Sequence, residues 1–204
     1  MRRSATVTAS LGAVLALGVT VAAAQETLTP RERRRLAAGE LVRRPQTWAS
    51  PGRRALGGTS WLRVRASERE VWAVVTDVRR FPRILPGVVE ARELQRRGAR
   101  RLVFIRHRYG MIGASYHAWV TADRERRTVS FELDRSRPRD VRSGRGFLTV
   151  SRSAGGRESI VTWGIRADVG AGLLTGVIEP LLRDWILRVP ECVRAQVEPG
   201  RTRC

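Results

Sequence analysis

The sequence predicts one α+β domain in which a curved antiparallel sheet wraps around a long C-terminal helix. Its 204 residues are 42% hydrophobic, which suits a single globular core and excludes a disordered chain. Between residues 88 and 167, segments of alternating apolar and polar residues are separated by glycine and aspartate turns, the pattern of successive β-hairpins. Over residues 172–197, apolar residues recur every three or four positions, as in an amphipathic helix.

The first 24 residues are typical of a signal peptide. Arg2 and Arg3 precede an uncharged stretch over residues 11–21, and Ala22-Ala23-Ala24 supplies a small-residue cleavage site. An uncleaved anchor over residues 5–24 is the alternative, although the threonines and serine of that span make it weakly hydrophobic. The predicted regions are a signal peptide over 1–24, an N-terminal helix and linker over 25–57, the folded domain over 58–198 and a tail over 199–204.

Two helix starts are marked by capping boxes, in which a serine or threonine is followed three residues later by glutamate. Thr29 and Glu32 predict a short helix before residue 39. Ser67 and Glu70 predict a second helix over residues 71–77.

Prolines and glycines lie on both sides of the second predicted helix. Residues 45–60 are rich in both and are expected to form a loop. Residues 61–66 alternate between apolar and polar side chains and predict a strand. Pro82 and Pro86 limit any helix after residue 80 to a few residues.

The turns of the β-rich region assign cross-strand partners. Turns centred on residues 110–113 and 123–126 place one apolar face toward the core, with Phe104 and Trp119 as exceptions on the outer face. The predicted strands are 101–109, 114–123, 127–133, 141–151 and 159–167. The predicted sets of facing residues are Val103–Val120–Val129, Ile105–Ala118–Phe131 and His107–Tyr116–Leu133.

The C-terminal helix is predicted over residues 172–197, with kinks near Pro180 and Pro190. Four charges between residues 178 and 189 argue against a membrane span. The predicted inward stripe comprises Leu174, Val177, Ile178, Leu181, Trp185, Val189, Cys192, Val193 and Gln196.

Several spaced motifs resemble the START-like (SRPBCC) superfamily, over roughly residues 58–198. They are VRASEREVWAVVTD at 64–77, RFP at 80–82, LPGV at 85–88, EAREL at 90–94 and the ending over 187–194. They are most similar to the polyketide cyclase/dehydrase and coenzyme Q-binding START-domain branches. The resemblance implies the helix-grip fold and a hydrophobic ligand, but the superfamily hosts binding proteins, lipid carriers and enzymes. No catalytic motif of one branch maps onto this sequence.

A helix-grip sheet either fills its concave side with side chains or leaves a pocket there. Small residues such as Ala114 and Ala167 opposite large aromatics favour a pocket. Within it, His107 is expected either to meet the polar end of a ligand as an orienting or acid–base group, or to be satisfied by hydrogen bonds within the core. The candidate ligand-binding residues are Val103, Ile105, His107, Tyr109, Tyr116, Ala118, Phe131, Trp163, Leu174, Ile178, Leu181 and Trp185.

The sequence contains 39 arginines and no lysine, against 19 Asp and Glu together. Its excess of positive charge therefore comes from arginine. The predicted export argues against nucleic acid as the partner. We interpret the charge as a solvated arginine surface, with peripheral contact with anionic membrane surfaces or polysaccharide as the alternative. We expect no metal site and no cofactor, because no metal-ligand spacing or phosphate-binding loop occurs. Cys192 and Cys204 flank Pro199-Gly200, which can turn the tail back, so we hypothesise a disulfide between them.

Two function classes remain open. A protein that binds or transports a hydrophobic small molecule or lipid needs only an apolar cavity and a few orienting groups. A cyclase or dehydratase acting on a polyketide-like or aromatic substrate needs His107, Tyr109 or Tyr116 as acid or base. The inward-facing positions of the predicted strands carry no Asp or Glu, so we predict non-enzymatic binding, in the periplasm or outside the cell.

We predict that the mature protein begins near Gln25, because the signal-peptide features end at Ala24. N-terminal sequencing of protein recovered from its native host checks this. An intact Met1 on the recovered protein would contradict the prediction.

Overall fold

The computed structural model describes residues 27–51, 53–110, 112–153, 155–170, 182, 184–198 and 200. Within them, one eight-stranded antiparallel sheet curves around a C-terminal helix, which confirms the predicted fold class. The predicted signal peptide and residues 172–181 of the predicted C-terminal helix lie outside the described residues.

The first two helices begin where the capping boxes predict. Thr29 N donates to Glu32 Oε2 over 2.8 Å, and Glu32 N donates to Thr29 Oγ1 over 3.3 Å. Ser67 and Glu70 form the same reciprocal pair of bonds. The helices are α1 (Pro30–Ala37), α2 (Glu68–Val75), a 3-10 helix (Val78–Arg80), α3 (Phe81–Ile84) and α4 (Val189–Val197).

The strands lie in the order β1-β2-β8-β7-β6-β5-β4-β3, so β1 and β3 form the two edges. Edge strand β3 is irregular, with register shifts between Val88 and Glu90 and between Glu93 and Gln95. The strands are β1 (Val42–Ser50), β2 (Arg53–Val64), β3 (Val88–Arg97), β4 (Arg100–Tyr109), β5 (Ile112–Asp123), β6 (Thr128–Leu133), β7 (Ser143–Arg152) and β8 (Ser159–Asp168).

The loop predicted over residues 45–60 is wrong, because this segment contributes to the β1–β2 hairpin. Its glycines are required by close packing between strands rather than by a loop. A Cβ at Gly58 would lie 2.1 Å from the carbonyl oxygen of Arg44, and one at Gly57 would lie 1.8 Å from that of Ile165. A side chain has no room at either position, so a loop-like composition appears inside a strand.

The predicted cross-strand register is wrong by two residues in both central hairpins. Val103 pairs with Ala118 rather than Val120, and Ala118 pairs with Leu133 rather than Phe131. The first turn is tighter than predicted, since Tyr109 pairs with Ile112, and the second covers residues 124–127. Side chains alternate with a period of two, so this shift leaves every residue on its predicted face.

The concave face of the sheet is covered by α4 and by the residues that precede it. Val189 and Val193 are 1% and 0% exposed, in one core with residues of β2, β4 and β8. Trp163 Nε1 on β8 donates to the carbonyl oxygen of Ile186 over 2.8 Å. This bond ties the C-terminal segment, residues 184–198, to the sheet.

The kink predicted near Pro190 is instead a break between two helical segments. Residues 184–186 are helical, a turn follows at Leu187, and α4 starts at Val189. Pro190 therefore lies in a first helical turn, where a missing N–H costs no hydrogen bond. Pro180 lies outside the described residues.

The disulfide hypothesis is only partly covered by the structure. Cys192, on α4, is fully buried and disulfide-bonded. Cys204 lies outside the described residues, so the hypothesised pairing remains a prediction.

On the outer face of the sheet, arginines cover Phe104 and Trp119, the two aromatic residues that were exceptions to the predicted pattern. Arg92 lies 5.2 Å from the ring centroid of Phe104, and Arg100 lies 4.3 Å from that of Trp119. Cation–π contacts of this kind cover an aromatic ring without removing the guanidinium from water. Part of the arginine excess therefore packs on the sheet rather than being simply solvated.

Gly146 of β7 offers a test of sheet packing. A Cβ there would lie 2.3 Å from the carbonyl oxygen of Gly164 and 2.3 Å from Phe131 Cζ. We predict that Gly146→Ala lowers the free energy of unfolding by about 1–3 kcal/mol through overpacking. Urea unfolding measures the change. Gly144→Ala is the control on the same strand and face, since its Cβ would meet nothing closer than 4.0 Å; equal losses in both variants would contradict the prediction.

Candidate ligand-binding cavity

A cavity of about 900 Å³ lies between the concave face of the sheet and the helices. Its volume is near the upper end of the range for small-molecule sites, roughly 300–1,000 Å³. Most of its wall is apolar. The sheet contributes Ile105, His107, Ala114, Tyr116, Ala118, Val120, Val129, Phe131, Leu133, Gly144, Leu148, Trp163, Ile165 and Ala167, among others.

The structure brings seven of the twelve predicted site residues to this cavity: Ile105, His107, Tyr116, Ala118, Phe131, Trp163 and Trp185. Val103 is instead fully buried in the core and is not part of the cavity wall. The Tyr109 side chain is outside the described part of the structure, as are Leu174, Ile178 and Leu181. Ala114 and Ala167, which favoured a pocket, line it.

Small and aromatic residues together leave this space open. Phe131 and Trp163 stack with ring centroids 5.0 Å apart and planes 18° apart. Phe131 lies against Gly146, which has no side chain to lift the ring into the cavity. Two large rings thus form one wall without filling the space in front of it.

Sequence reasoning missed the wall formed by α3 and the loop after it. Phe81, Ile84, Leu85 and Pro86 line the cavity. A four-residue helix is too short to show periodicity, so no pattern of apolar spacing could have identified them. The RFP and LPGV motifs of the family resemblance were the available signal.

One polar pair interrupts the apolar wall. His107 Nε2 and Tyr116 Oη are 2.9 Å apart, and the two rings are close to parallel. Trp185 packs edge-on against the imidazole, with ring centroids 6.1 Å apart. The histidine is thus in contact with both Tyr116 and Trp185.

Burial in this apolar wall keeps both side chains neutral near pH 7. It lowers the pKa of His107 to about 4, with the backbone carbonyl of Pro86 acting in the opposite direction. Burial also raises the pKa of Tyr116 well above its usual value. A neutral imidazole and a neutral phenol can orient a ligand through hydrogen bonds, but neither supplies a readily released proton.

Charged residues of the cavity wall lie near the C-terminal segment and are paired. Arg43 Nη1 lies 3.3 Å from Asp184 Oδ1, and Arg188 Nε lies 3.1 Å from Glu191 Oε2. The Asp184 side chain is 74% exposed, so this edge of the cavity reaches solvent. Among the described lining residues, these two acids are the only carboxylates.

The described residues contain no cluster of three or more His, Cys, Asp or Glu that could hold a metal ion. Across the same described part of the chain, no helix combines the length and apolar character required to cross a bilayer.

An antiparallel sheet that grips a helix around an apolar cavity defines the class of helix-grip domains. The family model for "Polyketide cyclase / dehydrase and lipid transport" matches residues 61–197. This chain therefore belongs to that family, within the START-like (SRPBCC) superfamily that its motifs resemble.

Solved structures of low sequence identity share the fold. The STAR-related lipid transfer protein from Xanthomonas axonopodis is 13% identical with a TM-score of 0.59, over 74% of this chain and 97% of that chain. The Zhui aromatase/cyclase from Streptomyces sp. R1128 is 15% identical with a TM-score of 0.56, over 69% of this chain and 89% of the other. A START superfamily protein from Mycobacterium smegmatis is 11% identical with a TM-score of 0.57, over 69% and 96%. No curated protein sequence matches significantly.

The low pKa of His107 predicts a loss of stability in mild acid. The unfolded state binds its proton near pH 6.5, whereas the folded state binds it only near pH 4. Between these values the unfolded chain carries more protons, so stability present above pH 6.5 is lost progressively toward pH 4, by about 2–3 kcal/mol. Urea unfolding at pH 7, 5.5 and 4 measures the loss.

Comparison with His107→Gln isolates this effect from other titrating groups. The stability of the wild type relative to this variant should fall over the same pH range. Because the chain has two histidines, His107→Gln and His117→Gln also assign the two imidazole signals in a proton NMR titration. A midpoint near 6.5 for the signal lost in His107→Gln would contradict the prediction.

Proposed function

We propose that this protein binds one hydrophobic small molecule or lipid in the cavity between the sheet and the C-terminal segment, without transforming it. The observation that carries the proposal is the apolar space of about 900 Å³ with a single buried polar pair. Ligand sites commonly combine a large apolar surface with a few polar groups that fix orientation. Transport of the ligand between membranes is a role consistent with such binding.

Apolar burial would supply most of the affinity. Each Å² of apolar ligand surface removed from water contributes about 25 cal/mol before the costs of association are subtracted. The stacked rings of Phe131 and Trp163 offer a flat surface to an aromatic or polycyclic ligand. The His107–Tyr116 pair would receive the polar end of that ligand.

A cyclase or dehydratase acting on a polyketide-like or aromatic substrate is the second candidate. His107 and Tyr116 at the cavity, together with the structural likeness to the Zhui aromatase/cyclase, favour it. The chemistry of the pair argues against it. Protonation of His107 is disfavoured at neutral pH, and Tyr116 resists giving up its proton. Acid–base catalysis works best with a group whose pKa lies near the operating pH.

We further propose that the protein acts in the periplasm or outside the cell. This rests on the predicted signal peptide, which lies outside the described residues. The basic surface would then bring the protein to anionic membranes, where hydrophobic ligands reside. Subcellular fractionation of the native host, with and without a high-salt wash, tests both statements.

Ligand occupancy is tested first on the protein as expressed. We expect native mass spectrometry of protein purified without detergent to show a bound hydrophobic compound, which extraction then identifies. Tryptophan fluorescence should respond to added ligand, because Trp163 and Trp185 line the cavity. The proposal fails if no lipid or aromatic compound copurifies or binds.

A matched pair of variants locates the binding. Ala114→Phe adds bulk inside the cavity and should weaken ligand binding at least tenfold. Ser130→Phe adds the same ring to an exposed position of β6 and should leave binding unchanged. Turnover of the bound compound, abolished in His107→Ala, would replace binding by the enzymatic alternative.

A further inference from the structure

A second pocket, of about 630 Å³, lies where the start of β2, the β6–β7 connection and the end of β8 come together. Four exposed arginines line it: Arg53, Arg135, Arg139 and Arg142. We call it the arginine pocket. Guanidinium groups bind carboxylate and phosphate oxygens through paired N–H donors, so a cluster of this kind suits an oxyanion.

The positive charge of the arginine pocket is only partly balanced. Asp140 and Asp168 are the two carboxylates among its described lining residues, so four cations face two anions there. Both carboxylates already accept hydrogen bonds. Asp140 Oδ2 lies 2.8 Å from Ser115 N and 2.9 Å from Ser115 Oγ, and Asp168 Oδ1 lies 3.0 Å from Gly170 N.

Three of the four arginines have no partner among the described residues. The side chains of Arg53, Arg135 and Arg142 form no ion pair there and donate no hydrogen bond. Arg139 instead donates from Nη1 to the carbonyl oxygens of Arg135 and Arg137, which lie 2.5 and 3.3 Å away. The three guanidinium groups are therefore available to a ligand.

The arginine pocket adjoins one end of the apolar cavity. Val141, which is 8% exposed, lines both spaces. Gly144 and Ala167 are paired across β7 and β8 and line the cavity, while the next pair along these strands, Ser143 and Asp168, lines the arginine pocket. One residue along a strand is about 3.3 Å, so the charged and apolar spaces are neighbours.

The polar groups of the cavity itself suit an anion less well. The two arginines at its solvent-exposed edge are each paired with a carboxylate. The His107–Tyr116 pair is neutral and buried, so it suits an uncharged polar group. An oxyanion placed against that pair would lose its hydration without gaining a cation. An anionic group is thus better stabilised in the arginine pocket.

Resting on the proposed function, we infer that the ligand is an anionic amphiphile, with its apolar part in the cavity and its carboxylate or phosphate group in the arginine pocket. The apolar part supplies affinity through burial, as it would for any hydrophobic ligand. The anionic group adds selectivity, because several guanidinium groups act together on one charge. Free inorganic phosphate shares the charge but has no apolar part, so it is the competing source for this pocket.

Two fluorescent probes with the same ring and chain test the inference on the full-length protein. Pyrenedodecanoic acid ends in a carboxylate at pH 7, and pyrenedodecanol ends in a neutral hydroxyl group. We expect the acid to bind about tenfold more tightly than the alcohol in about 50 mM salt, the size expected of two or more exposed ion pairs acting together. This affinity ratio should fall about threefold in about 500 mM salt, because screening weakens the interactions of exposed charges.

A matched pair of double substitutions locates the anionic group. Arg135→Gln with Arg142→Gln removes two charges from the arginine pocket and should bring the acid-to-alcohol affinity ratio close to one. The alcohol should bind as it does to the wild type, which also shows that this variant is folded. Arg152→Gln with Arg157→Gln removes the same charge from exposed positions that line neither space, and should keep the wild-type ratio.

Calorimetry with inorganic phosphate alone distinguishes an anionic head group from a free anion. Phosphate should bind at least about tenfold more weakly than the acid probe, because it buries no apolar surface. Phosphate binding that is lost on Arg135→Gln with Arg142→Gln, together with equal affinities of the two probes, would assign the pocket to a free anion and overturn the inference.

The remaining outcomes separate this inference from the proposed function. Equal affinities of the acid and the alcohol for the wild type, both weakened by Ala114→Phe, overturn the inference and leave cavity binding intact. An equal fall of the ratio in both double variants also overturns it, since the preference would then come from the general positive charge of the protein. If neither probe binds up to its solubility limit, the inference and the proposed function fail together.

Discussion

The concave face of the sheet has to be kept from water, and the rest of the structure depends on how this is done. The sheet curves around α4, which buries Val189 and Val193 against it almost completely. The hydrogen bond from Trp163 to the Ile186 carbonyl holds the residues before α4 against the sheet. Helix α4 thus covers one part of the concave face. The residues before it cover another part, where the cavity forms.

The faces of the strands could be predicted from the sequence, but their register could not. Alternation assigns Ile105, Ala118 and Trp163 to the inner face whatever the turn length, because a side chain changes face only when the register shifts by one. The register also depends on the length of each turn. Glycine and aspartate indicate that a turn is present but do not determine how many residues it contains. The β1–β2 hairpin was missed for a different reason, since Gly57 and Gly58 serve packing between strands that are distant in sequence.

The candidate site could be predicted in part, for the same physical reason. The sheet wall follows from alternation, so His107 and Tyr116 were placed correctly at the cavity although their direct pairing was wrong. Their hydrogen bond runs diagonally, because His107 pairs with Ala114 and Ile105 pairs with Tyr116. Burial among side chains of separate elements sets the protonation of the histidine by lowering its pKa, and alternation along one strand does not report that burial. The cavity wall contributed by α3 could not be predicted from apolar periodicity either, because that helix has only four residues.

The irregularity of edge strand β3 affects whether copies of this protein can associate through their sheet edges. An open sheet offers its unpaired edge to other strands, and two exposed apolar side chains, Val89 and Leu94, lie on this one. The two register shifts interrupt the regular row of donors and acceptors, and Arg92 and Arg96, paired with Glu90 and Glu93, surround the apolar positions with charge. A flat neighbouring strand could not match this edge along its whole length. The bulges therefore act against edge-to-edge aggregation, the hazard that an eight-stranded open sheet would otherwise carry at high concentration.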